Sequence, residues 1–161
     1  MNSDGLTFAD ASQLSGAVPL QVTCFVSSID NADAIAARFP GAQVTVVQTQ
    51  RVPGRAGEIC EAVGRGGKVK GRLAFTGTQV AFGADEKAAA LAFERLDREL
   101  NAAGSKISDI IQTNVYSLSE RTGELARKIR TAPGLIFVVP AEGVASLDGA
   151  FAVDVIATVR K

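Results

Sequence analysis

The stretch DEKAAALAFERLDRELNAAG, Asp85 to Gly104, decides the fold. Asp85 and Glu86 place negative charge in a first helical turn, where it complements the helix dipole, and Gly104 follows the last periodic residue as a stop. Between them Ala89, Ala92, Phe93, Leu96, Leu100 and Ala103 recur at helical spacing. This predicts one long amphipathic helix over 85–103 with a single apolar stripe facing one sheet.

Downstream, the pattern predicts a strand over 110–118, a helix over 120–130, a break at Ala132-Pro-Gly134, and two further strands over 135–139 and 150–159. Upstream, 58–64 and 72–80 read as strands joined by a glycine-rich link at Arg65-Gly-Gly67, a hairpin signal. Before them come a strand over 20–26, a short helix over 31–38 ended by Pro40-Gly41, and a strand over 43–49; residues 1–19 read as a loose arm. Long runs of strands with three helices predict an α+β fold, an antiparallel or mixed sheet with helices packed on one face.

Residues 22–64 and 114–157 share the order strand, helix, strand, strand, and QVTVVQT aligns with LIFVVPA at a shift of 92 residues. A half-repeat and two independent uses of a common unit both fit. The length of 161 residues suits one core, divided here into an N-terminal extension over 1–57 carrying the βαβ half-repeat and a main domain over 58–161.

Composition limits the chemistry. Seventeen basic and seventeen acidic residues cancel, leaving no global field to draw the protein onto nucleic acid or an anionic membrane. The run Arg51, Arg55, Arg65, Lys68, Lys70, Arg72 is interrupted by Glu58 and Glu61 and lacks interleaved aromatics, so it reads as a solvated face. No stretch reaches the roughly 18 apolar residues of a membrane span, and the N-terminus lacks a basic leader; the expected location is the cytoplasm.

Cys24 and Cys60 lie in apolar runs without metal-ligand spacing and are expected as buried free thiols. With no histidine, Ser-His and Cys-His pairs and most zinc sites are absent, and no metal or cofactor is expected. Chemistry would fall to carboxylates, arginine, lysine, Tyr116, backbone groups or water. Gly64-Arg-Gly-Gly67 lacks the full phosphate-binding fingerprint.

Several segments together resemble the RidA (YjgF) family: ICEAV at 59–63, RLAFTGTQV at 72–80, LNAAG at 100–104, SDIIQTNVYS at 108–117, Pro133, and AVDVIATVRK at 152–161. The resemblance spans about two-thirds of the chain. It implies a chorismate-mutase-like fold, a homotrimer with small-molecule pockets between subunits, and metal-independent hydrolysis of reactive enamines or imines such as 2-aminoacrylate to a keto acid and ammonia.

In that family's site an arginine just after the proline holds the substrate carboxylate and a last-strand glutamate positions water. Here Gly134-Leu-Ile-Phe137 follow Pro133, and Ala152 stands at the glutamate's place. Asp154, one pleat beyond Ala152, is one candidate substitute, and Glu58 with Arg55 from the half-repeat is another; the resemblance adds Gly77, Arg127, Leu135, Phe137 and Ala152 as ligand-contacting positions. Asp154 paired in a subunit interface and Arg127 as a solvated helix residue are the plainer readings.

The expected function is therefore a divergent deaminase-type hydrolase acting on a small metabolite. The alternative is a non-catalytic ligand-binding or assembly protein with an apolar pocket formed by Leu135, Phe137 and Ala152. The family's older label of endoribonuclease L-PSP is disfavoured by neutral charge, one tyrosine and no histidine.

Overall fold

A computed structural model describes residues 6–11, 17–49, 57–65, 72–130 and 132–159. The first half contains β1 (Leu6–Asp10), β2 (Val18–Val26), α1 (Ala32–Ala36), β3 (Gln43–Gln48) and β4 (Glu58–Arg65). The second contains β5 (Leu73–Phe75), β6 (Gln79–Ala81), α2 (Glu86–Ala102), β7 (Ile110–Ser117), α3 (Glu120–Ile129), β8 (Leu135–Pro140), β9 (Gly143–Val144) and β10 (Phe151–Thr158).

Two mixed sheets result, one ordered β1-β4-β2-β3-β9 and the other β5-β10-β7-β8 with β6 also on β10. Each carries helices on one face, and their other faces meet.

The long helix forms as its sequence predicts. Asp85 Oδ1 accepts from Ala88 N at 2.8 Å, capping the first turn. At the other end Gly104 takes φ +76°, and Ser105 N and Gly104 N return to Leu100 O and Asn101 O, consuming two carbonyls the helix would leave unpaired. Ala89, Ala92, Leu96 and Leu100 are fully buried against the second sheet. Burying each leucine contributes about 1.5–3 kcal/mol.

The halves share a topology. β2 runs parallel to β3 and antiparallel to β4, and β7 runs parallel to β8 and antiparallel to β10. In register, Thr23 lies between Thr45 and Glu61, and Asn114 lies between Phe137 and Asp154. The turns after the two central strands are both capped by serine: Ser28 accepts from Asp30 N, and Ser119 forms a capping box with Thr122. β9, from the second half, pairs with β3 and stitches the sheets together.

Four expectations are corrected. Part of the presumed loose arm is ordered, since β1 pairs with β4 and β2 starts at Val18. The segments 58–64 and 72–80 do not form a hairpin: β4 joins the first sheet and β5 the second. The second of these segments also splits into β5 and β6, because Thr76 Oγ1 accepts from Val155 N at 3.0 Å and so replaces a backbone partner.

Cys24 and Cys60 are not free thiols but a disulfide, because the β2–β4 register sets them directly opposite each other in the core under α1. Spacing in sequence does not reveal such an apposition.

Candidate functional site

β2 and β7 are inner strands of the two sheets, and the site lies where they face each other. Strand alternation sends Val22, Cys24 and Val26 to the core under α1 and turns Gln21, Thr23 and Phe25 toward the second sheet. β7 likewise sends Val115 toward its helices and Gln112, Asn114 and Tyr116 toward the first sheet. Between them opens a cleft of about 570 Å³, whose wall also includes Asp10, Glu61, Val63, Phe137, Val139 and Ile156. That volume suits a small molecule.

Asp154 does not line the cleft but is fully buried behind the wall residues Gln21 and Asn114, to which it is bonded. Its Oδ1 accepts from Asn114 Nδ2 at 2.8 Å and Gln21 Nε2 at 3.2 Å, and its Oδ2 accepts from Thr45 Oγ1 at 2.8 Å. Thr45 spends its only proton on Asp154, so the Thr78 hydroxyl at 2.5 Å must be the donor to Thr45. Burial raises the Asp154 carboxyl from its ordinary value to about 6, against the opposing pull of the hydrogen bonds from Asn114, Thr45 and Gln21.

Tyr116 is also buried, with its hydroxyl 3.3 Å from Thr23 Oγ1. Desolvation, then the charge of Asp154, push its phenol well above the ordinary range, so it stays protonated.

An ionised carboxylate only accepts, so the amide groups beside it have fixed orientations. Gln21 and Asn114 must turn their nitrogens to Asp154, and Gln112 donates its Nε2 to Asn114 Oδ1 at 2.9 Å.

The residues singled out in the sequence are dispersed. Glu58 lies on the α1 side of β4, in an ion pair with Arg38, and lines a separate hollow with Phe39 and Cys60. Arg55 lies outside the described residues. Arg127 is exposed on α3, 3.7 Å from Glu124.

Gly77 sits between Gln43 and Glu99, where an added Cβ would be 3.0 Å and 3.2 Å from their side-chain oxygens. Ala152 is buried among Val47, Tyr116 and Val144. Leu135 is 63% exposed on β8, whereas Phe137, two residues on, reaches the cleft wall. Of these residues Phe137 lines the cleft, and Asp154 lies buried behind its wall.

Sequence reasoning passed over Gln21, Thr23, Glu61, Gln112 and Asn114. Their signal is polar residues at alternate positions of strands whose other positions are apolar, which marks a face that is neither core nor open surface.

No protein-family model matches the sequence, and no curated protein matches it. Solved structures do. Yeast Mmf1 superposes with a TM-score of 0.51 at 14% identity, covering 56% of this chain and 82% of Mmf1. Rv2704 of Mycobacterium tuberculosis, a member of the highly conserved YjgF/YER057c/UK114 family, gives 0.47 at 20% identity, covering 56% and 81%. YyfB of Yersinia pestis, from the conserved Rid protein family, gives 0.47 at 15% identity, covering 58% and 83%. The likeness to Mmf1 is one of fold alone, and the fold is α+β, with two mixed sheets and helices packed on one face of each.

Proposed function

We propose that the chain is a small-molecule-binding protein built on the YjgF/RidA fold, which holds its ligand between the two sheets without hydrolysing it. One observation carries this reading: Asp154, the carboxylate nearest the place of the family's water-positioning glutamate, is fully buried and spends its oxygens on Gln21, Asn114 and Thr45. A carboxylate engaged by three protein donors acts as a structural acceptor, since a general base needs reach to the reacting proton.

Substrate carboxylates are held by bidentate arginine in enamine hydrolysis of this kind. Among the described residues the cleft wall contains no arginine or lysine, and Arg127 stands on the outer helix α3 beside Glu124.

The test is ammonia release from freshly generated 2-aminoacrylate. Release at the buffer rate supports a binding role. Acceleration that disappears in Glu61→Gln would replace this reading with a hydrolase using the carboxylate that does face the cleft.

A homotrimer belongs to the same reading. Leu135 and Phe137, 63% and 47% exposed on the edge strand β8, are apolar surface that a second copy would cover. Light scattering on the purified chain reads the assembly directly; a monomer at micromolar concentration removes this part.

A further inference from the structure

We infer that the cleft between the sheets selects an organic cation, a protonated amine carried on a small apolar body. This rests on the binding role proposed above and names its ligand class. The argument starts from Asp154. Because that carboxylate draws the amide nitrogens of Gln21 and Asn114 onto itself, these two amide donors are turned toward Asp154 rather than the cleft. Asn114 Oδ1 in turn engages Gln112 Nε2.

What the amides leave for a ligand is oxygen, beside the Thr23 and Tyr116 hydroxyls, which keep one proton between them after their own contact at 3.3 Å. Gln21 is only 5% exposed, lines the cleft, and its Oε1 has no donor among the described residues; the same holds for Gln112 Oε1. An amide oxygen that lines the cleft and is not taken up by a protein donor favours a ligand that donates. Glu61 adds a negative charge at the same wall, near enough to Tyr116 to help raise its phenol pKa. Phe25, Tyr116 and Phe137 supply aromatic faces, which attract cations and also bury an apolar body.

An anionic ligand would meet acceptors and a carboxylate. A neutral alcohol would satisfy one oxygen and leave the charge of Glu61 unused. Only a cationic donor uses the amide oxygens, the carboxylate and the aromatic rings together.

The full chain is titrated with 2-phenylethylamine, 2-phenylethanol and 3-phenylpropionate at pH 7, by calorimetry and by NMR on the cleft residues. The amine should bind at least tenfold more tightly than the other two. Glu61→Gln should remove that preference, while Glu94→Gln on the exposed side of α2 leaves it intact. Alcohol or acid binding in the cleft as tightly as the amine overturns the cation inference and leaves the binding role standing. So does an amine affinity indifferent to Glu61→Gln. If none of the three shifts a cleft resonance, the inference falls and the binding role falls with it.

Discussion

Gln21 Nε2 donates to Asp154 Oδ1 at 3.2 Å across the meeting faces of the two sheets, joining residues 133 positions apart. With Thr45 bound to the same carboxylate from β3 and Asn114 from β7, Asp154 ties both halves at one buried point. Its removal should therefore loosen the contact between the halves. Asp154→Ala leaves three donors without their acceptor, at about 1–3 kcal/mol each, offset in part by relief of the buried charge. A net loss of about 2 kcal/mol is expected in denaturant unfolding at pH 7. An unchanged midpoint would show that the cluster does not hold the sheets.

The same residue sets a pH dependence. Its carboxyl is raised from 3.8 to about 6 by burial, so between those values the folded chain keeps a proton that the unfolded chain has released. Stability rises with pH only where the unfolded state binds more protons, and here it binds fewer. The Asp154 contribution should thus fall as pH climbs from about 4 to about 6, by roughly 3 kcal/mol in all. Subtracting the unfolding free energy of Asp154→Asn from that of the parent at each pH isolates this group. A flat difference would rule it out.

Gly134 opens β8 with φ +86°, and a Cβ built there would stand 2.5 Å from Ile111 O and 2.8 Å from Ile110 O. Both the left-handed backbone and the neighbouring backbone oxygens forbid a side chain, and neither can move without shifting β7. Gly134→Ala should lower stability by about 2 kcal/mol or more. Gly41 has a similar φ of +84° but nothing within 4 Å, so Gly41→Ala should cost distinctly less. Equal losses in thermal melts would refute the steric account.

The disulfide between Cys24 and Cys60 closes a separation of 36 residues. Chain-entropy arguments put its contribution at about 3–4 kcal/mol through restriction of the unfolded state. Unfolding midpoints with and without reductant, with a Cys24→Ala and Cys60→Ala double variant as reference, measure this. If reductant leaves the midpoint of the parent where it was, the two sulfurs are not linked in solution.

How much of this was legible in advance differs by element. α2 was, because its stripe and its terminal residues act within one helix and need no partner to be recognised. The alignment of QVTVVQT with LIFVVPA was also legible, and β3 and β8 hold the same place beside β2 and β7. The site was not. Choosing Glu58 rather than Glu61 is an odd shift along a strand, and strand alternation puts the two on opposite faces of the sheet.

Local pattern in the sequence therefore determined the helices, most of the strands and the kind of fold they build, since periodicity and capping act over a few residues. Only the tertiary structure decided which carboxylate faces the cleft, which is sealed behind it, and which cysteines touch. Those depend on strand register and on the meeting of two sheets, where groups as far apart as Gln21 and Asp154 come within a hydrogen bond.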